Sequence, residues 1–230
     1  KLNDTFSSDY KYNVLSNTGG LNFKFVLKKM TFSFGGDVSN TSYMQTDHLH
    51  GDTSHTRNYI NIFPKANFNY SIGKQTSFNL QYNGSTQQPT ISQIQPLRQN
   101  SDPLNITLGN PELKQSFKNN ITLRFNDYKV LSSRYLWSNI SFSTTTDAIT
   151  TDQETKNNIT TTRFINMDGN YTGWGYVGYG FKLKKLNTDI GLQLNGSMNQ
   201  AKNMINGMVN TSNFGNISIG PYFQLSLIHI

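Results

Sequence analysis

From Ile60 onward the chain changes chemical character at every step. The even positions read Ile60, Ile62, Pro64, Ala66, Phe68, Tyr70 and Ile72, and the odd ones Asn61, Phe63, Lys65, Asn67, Asn69 and Ser71. Only an extended strand places successive side chains on opposite faces, so a period of two dictates one greasy face and one wet face. The pattern returns four times. Thr76, Phe78, Leu80 and Tyr82 alternate with Ser77, Asn79, Gln81 and Asn83, and Ile121, Leu123 and Phe125 with Asn120, Thr122, Arg124 and Asn126. Ile190, Leu192 and Leu194 alternate with Asp189, Gly191, Gln193 and Asn195. Finally Ile217, Ile219, Pro221, Phe223 and Leu225 alternate with Asn216, Ser218, Gly220, Tyr222 and Gln224. No stretch of comparable length has helical spacing, and the chain is expected to be all-β.

Composition then narrows what the wet face meets. The chain holds 30 Asn, 22 Ser and 24 Thr, 76 of its 230 positions, while charged residues make up only 14%. A globular chain carries about 25% charge, so polarity here comes from neutral amides and hydroxyls. Such groups suit a water-filled or plugged lumen, where they hydrogen-bond water and one another without strong repulsion. With 15 Phe and 12 Tyr the chain is too aromatic for the disordered class. The absence of cysteine excludes disulfides, thiolate metal sites and cysteine nucleophiles. No run approaches the roughly 18 apolar residues of a spanning helix. The net charge of +7 permits an anionic partner without requiring one, and the cations are too dispersed for a nucleic-acid strip.

The connections carry a second regularity. Short turns at Lys28-Lys29, Gly73-Lys74-Gln75, 128–133 and 184–187 alternate with long polar stretches at about 40–58, 87–117, 146–158 and 199–210. Up-and-down membrane barrels have this asymmetry, with tight turns at the periplasmic end and long loops outside. The expected strands are 13–28, 30–43, 58–72, 75–86, 118–128, 134–147, 159–184, 188–199 and 211–227. The seventh is read as one long strand, kinked or bulged in the glycine-rich run from Gly169 to Gly180. Nine is odd for a closed bacterial barrel, and an N-terminal edge strand would make ten. Strands longer than the 9 to 11 or so residues that cross a bilayer point to an open arc of a larger barrel with a tall wall. Tyr59, Phe63, Tyr70, Tyr82, Tyr171 and Trp174 are candidates for the aromatic girdles. The start at Lys1-Leu2-Asn3-Asp4 suggests a mature piece or internal fragment, and the tail Leu225–Ile230 is read as foreign or truncated.

At Gly109-Asn110-Pro111-Glu112-Leu113-Lys114, preceded by Asp102-Pro103-Leu104-Asn105, the residues resemble a signature of TonB-dependent receptor barrels. The resemblance is closest to the outer membrane protein β-barrel family. Two further elements agree with it in order: Tyr82 to Ile91 with Leu97, and Thr162-Arg163-Phe164-Ile165-Asn166-Met167-Asp168-Gly169. Together they span about residues 13 to 225. One departure is Gln115-Ser116, where the pattern has Pro-Glu. The resemblance implies a partial barrel domain over residues 1–230 in the outer membrane of a Gram-negative cell, with the remaining barrel and a plug domain lying outside the chain. It also implies import of a nutrient or chelate and an energising TonB-type protein. The four long stretches would then face outside and meet the ligand, and Lys65, Asn67, Asn79, Gln81, Arg124 and Gln193 would line the lumen. A secreted or surface β-sandwich and a passive porin-like channel are the alternatives.

Other constellations are weaker. Gly109, Asn110 and Pro111 read as a structural loop corner: proline fixes φ and lacks a donor, its predecessor is driven to extended geometry, and glycine admits positive φ. His48, His50 and His55 form a weak candidate metal set, since His-x-His on an extended segment faces one way. No acid–base pair sits on a rigid element, so neither catalysis nor a cofactor is expected. The Asn-x-Ser/Thr triplets follow from composition and are not read as glycosylation sites.

Overall fold

The computed structural model describes residues 10–48, 53–95 and 98–225. In chain order the elements are β1 (Tyr10–Val26), β2 (Met30–Asp47), β3 (Thr53–Gly73), β4 (Thr76–Gln87), α1 (Ile91–Ile94), β5 (Arg98–Asp102), β6 (Asn105–Leu108) and β7 (Ser116–Lys129). There follow β8 (Arg134–Thr146), β9 (Ala148–Lys156), β10 (Ile159–Met167), β11 (Asn170–Leu183), β12 (Thr188–Ile205) and β13 (Met208–Leu225). Nine of the described strands make the wall, each antiparallel to the next: β1, β2, β3, β4, β7, β8, β11, β12 and β13. Among the described residues nothing pairs β1 with β13, so the sheet is an open arc.

The register sorts the side chains into two faces. One row runs Phe34, Ala66, Tyr82, Ile121, Phe142 across five strands; the row beside it on the other face runs Asn67, Gln81, Thr122, Ser141. The apolar row is the exposed one, with Phe34 at 41%, Ile121 at 47% and, further round, Ile217 at 79% exposure. The polar face is where burial occurs: Ser39, Thr41, Asn61, Ser116, Thr122 and Ser141 are buried. A soluble sandwich would bury its apolar rows against a second sheet, and monomers in water rarely expose contiguous apolar area beyond a few hundred Å². The inverted order is that of a sheet whose outer face is solvated by hydrocarbon. Between β1 and β13 the backbone groups are satisfied along the ladder, as a lipid environment demands.

Four apolar side chains are buried among the described residues, namely Ile94, Ile106, Leu113 and Ala148. All four lie in the insertion between β4 and β7 or at the start of β9. What hydrophobic core the molecule has is therefore in its long connections and not in its wall.

Several expectations shift. The stretches 40–58, 146–158 and 199–210 are largely strand and not loop: β2 and β3 pair up to Asp47 and Thr53, and β12 and β13 meet at a two-residue Asn206-Gly207 turn with both φ positive. Beyond the bilayer no hydrocarbon lies against the outer face, so alternation fades while backbone pairing continues. The 21-residue β3 is on the order of 70 Å long, more than twice the hydrocarbon thickness. Expected strand 159–184 is broken outright at Asp168-Gly169, the first step of the glycine-rich run, where Gly169 has φ 98°, and continues without a kink through the rest of that run. A matching break at Asp147 (φ 49°) parts β8 from β9. Beyond these breaks the hairpin presents its other edge, so that β9 lies beside the top of β12 and β10 pairs in parallel with β6. The glycine-rich run is straight strand for a spatial reason. Gly180 and Gly191 are neighbours in one inner-face row between Tyr135 and Tyr222, whose rings stack 6.4 Å apart. A Cβ on Gly180 would fall 2.2 Å from the Tyr222 hydroxyl, and one on Gly178 2.6 Å from the Trp137 ring.

Candidate functional site: the inner face and its docked insertion

All six expected lumen residues fall on the polar face. Lys65, Asn67, Asn79, Gln81 and Arg124 occupy neighbouring positions across β3, β4 and β7, and Gln193 stands on the same face between Gly178 and Gly220. Short polar side chains there satisfy one another. Asn79 Nδ2 donates to Asn67 Oδ1 and Asn69 Oδ1 (2.5 and 2.7 Å), and Asn120 Oδ1 accepts from Ser141 and Ser143 (3.0 and 2.9 Å). The girdle candidates divide. Tyr70, Tyr82 and Tyr171 share the outer face with the apolar rows, whereas Tyr59, Phe63 and Trp174 pair with Thr41, Asp37 and Ser141 on the inner face. Aromatic character alone does not specify lipid, because the inner face also holds rings against glycines and beneath the insertion.

The insertion 88–115 does not stand clear of the wall; it docks on the inner face of β1–β3. Asn61, 4% exposed, is the hub. Its Oδ1 accepts from Gln88 Nε2 (3.0 Å) and Gln115 Nε2 (2.9 Å), while its Nδ2 donates to Thr41 Oγ1 (3.2 Å). The Tyr43 hydroxyl donates to Gln88 Oε1, and Gln95 Nε2 donates to the Tyr12 hydroxyl (2.6 Å). Asn61→Leu keeps the volume but strands the two half-buried amides of Gln88 and Gln115. The expected cost is about 1–2 kcal/mol, seen as lost hydrogen-exchange protection at 93–95. Unchanged protection would remove Asn61 as the hub.

Gly109, Asn110 and Pro111 form the corner of this insertion. The Asn110 N–H donates to Gln93 O (2.6 Å), its Nδ2 donates to Phe164 O (2.8 Å), and its Oδ1 accepts from the Glu112 N–H (3.0 Å). The Lys114 N–H donates to Asn166 Oδ1 (2.8 Å), and Asn166 Nδ2 returns to Lys114 O (3.1 Å) and to Asp147 O (2.8 Å). Upstream, Asp102 closes the β5–β6 turn by accepting from Asn105 Nδ2 (2.6 Å) and the Leu104 N–H (2.9 Å); these two bonds hold its carboxyl below the ordinary value. The three sequence elements singled out above thus meet in one assembly. Thr90, whose N–H donates to Gln93 Oε1 (2.8 Å), starts the helical turn that the corner grips. Asn61 and Gln95 had no distinguishing local signal in a chain so rich in amides, whereas Gln88 and Asn166 lie inside the resembling elements, which named no partner for them. Gln115 had such a signal: it stands where the pattern departs.

Of the histidines, His48 is exposed at the end of β2, His50 lies outside the described residues, and the side chain of His55 is likewise not described. Among the described residues no group of three or more acids and histidines is placed to hold a metal.

An antiparallel arc with an apolar exterior, a polar inner face and a loop segment docked against that face defines the wall of an outer-membrane-type β-barrel. Residues 1–227 match the outer membrane protein beta-barrel family, and the chain belongs to it. No curated protein matches the chain. Its place is the outer membrane.

Proposed function

We propose that the wall belongs to a gated importer of the TonB-dependent-receptor type, taking a nutrient or chelate across a Gram-negative outer membrane with a TonB-type protein supplying energy. One observation supports this most: the three elements that resemble receptor barrels are those that build and grip the docked insertion. The tall strands agree with it, since a wall that rises well beyond the bilayer can hold a ligand outside before passage. The wall itself makes and breaks no bonds. It closes backbone hydrogen bonds within the sheet and offers a wet face across an apolar layer.

A passive porin-like channel is the second reading, favoured by the same insertion if it acts only as a constriction. Liposome swelling separates the two. The full-length parent, reconstituted and placed in arabinose, is expected to swell liposomes no faster than protein-free controls and to bind the periplasmic domain of a TonB-type protein. Fast swelling without that binding would overturn the importer.

A further inference from the structure

Charge is distributed unevenly on the inner face. Its described side chains include Lys24, Arg57, Lys65, Lys118, Arg124 and Lys182, against Asp37 and Asp189 alone. Lys65 Nζ lies 3.0 Å from Asp37 Oδ2, and Lys182 neighbours Asp189 across β11 and β12. The other four cations have no acidic partner among the described residues. Arg57 Nη1 is buried without a hydrogen-bond partner among the described residues, in a gap beneath α1 lined by Tyr12, Tyr43 and Tyr59. The curvature of β1–β4 also creates a concavity of about 310 Å³ on this face, where Lys24 and Lys65 stand among Asn22, Ser33, Asn67 and Gln81. That volume is at the lower end of small-molecule sites, which run from about 300 to 1,000 Å³.

We infer that this concavity binds a small anionic solute carrying carboxylate or phosphate groups. Lys24 supplies an uncommitted positive charge, Lys65 adds donors while remaining tied to Asp37, and the amides of Asn22, Asn67 and Gln81 read the hydroxyl or carbonyl groups around the anion. A neutral solute leaves Lys24 without a partner, and a cationic one meets like charge. Walls carrying one sign of charge concentrate counter-charged solutes in their clefts, so the remaining unpaired cations draw anions along the same face. The inference deepens the importer reading by naming its cargo class and rests on that reading only for the word cargo.

Equilibrium binding of citrate, inorganic phosphate and glucose to the detergent-solubilised full-length parent tests it. Citrate and phosphate bind and glucose does not. Lys24→Gln weakens citrate about tenfold, Lys24→Arg restores it, and Lys28→Gln at the short-turn end leaves it unchanged. Raising salt from about 20 to about 300 mM weakens citrate further. Glucose binding as well as citrate, or citrate binding that ignores Lys24→Gln, overturns the proposal. So does the absence of anion binding together with release of a plug domain by Lys24→Glu, which assigns the cationic face to an acidic protein surface. Anion binding alongside fast arabinose swelling leaves the site standing and removes only the importer.

Discussion

Leu194→Arg is expected to destabilise the protein in lipid by about 2–4 kcal/mol, whereas Gln193→Arg, one residue away, costs less than about 0.5 kcal/mol. The two positions share a strand, a local backbone and nearly the same depth, so the difference isolates the face. Leu194 sits in the outer row between Val177 and Ile219, and a guanidinium there must enter hydrocarbon or deform the bilayer. Gln193 sits between Gly178 and Gly220 on the polar face, with no side chain directly beside it on either neighbouring strand. Urea unfolding in phospholipid vesicles reads both. Equal costs, or a larger cost at Gln193, would mean that the apolar rows do not face lipid, and the barrel reading would go with them.

The same physics explains what the residues disclosed before any coordinates. Lipid on one side and water on the other impose a period of two, so the wall strands and the shared face of Lys65, Asn67, Asn79, Gln81, Arg124 and Gln193 were legible. Strand ends were not. Between Thr41 and Thr46, or Gln200 and Asn203, no hydrocarbon demands an apolar outer face, and polarity reads as loop although the ladder continues. The direction of the insertion was hidden for another reason: it is set by amide bonds between Asn61 and residues 27 and 54 positions away. One asparagine among 30 carries no mark of being a hub. The hairpin break was half visible. Asp168-Gly169 is a turn signal, but a break there puts two short turns in succession, against the alternation of short and long connections, and the eight residues from Gly173 to Gly180, half of them glycine, offered a kink instead. Those glycines answer to the rings of Trp137, Tyr135 and Tyr222 and not to a bend.

Gly109→Ala is expected to detach the insertion while sparing the wall. A Cβ at Gly109 would lie 1.7 Å from Gln95 O, 2.6 Å from Gln95 C and 3.0 Å from Gln95 N. These are backbone atoms and cannot swing aside, so the corner and the turn at 93–95 must separate. With that step go the Asn110 N–H bond to Gln93 O and the Gln95 bond to Tyr12. Overpacking of this kind costs about 2–4 kcal/mol. The loss stays local because β4 and β7 pair with each other from Thr76 to Gln87 without help from the insertion. Hydrogen exchange on the protein in detergent should therefore accelerate at 93–95, 110 and 113 and stay slow in β4 and β7. Pro111→Ala, which adds no atom to the contact, should change far less. Slow exchange retained at 93–95 in Gly109→Ala would show that the corner does not hold the insertion. If the insertion also narrows the path along the inner face, Gly109→Ala proteoliposomes swell in arabinose where the parent's do not. Released exchange without swelling would confine the corner to stability and leave the barrier to another part of the protein.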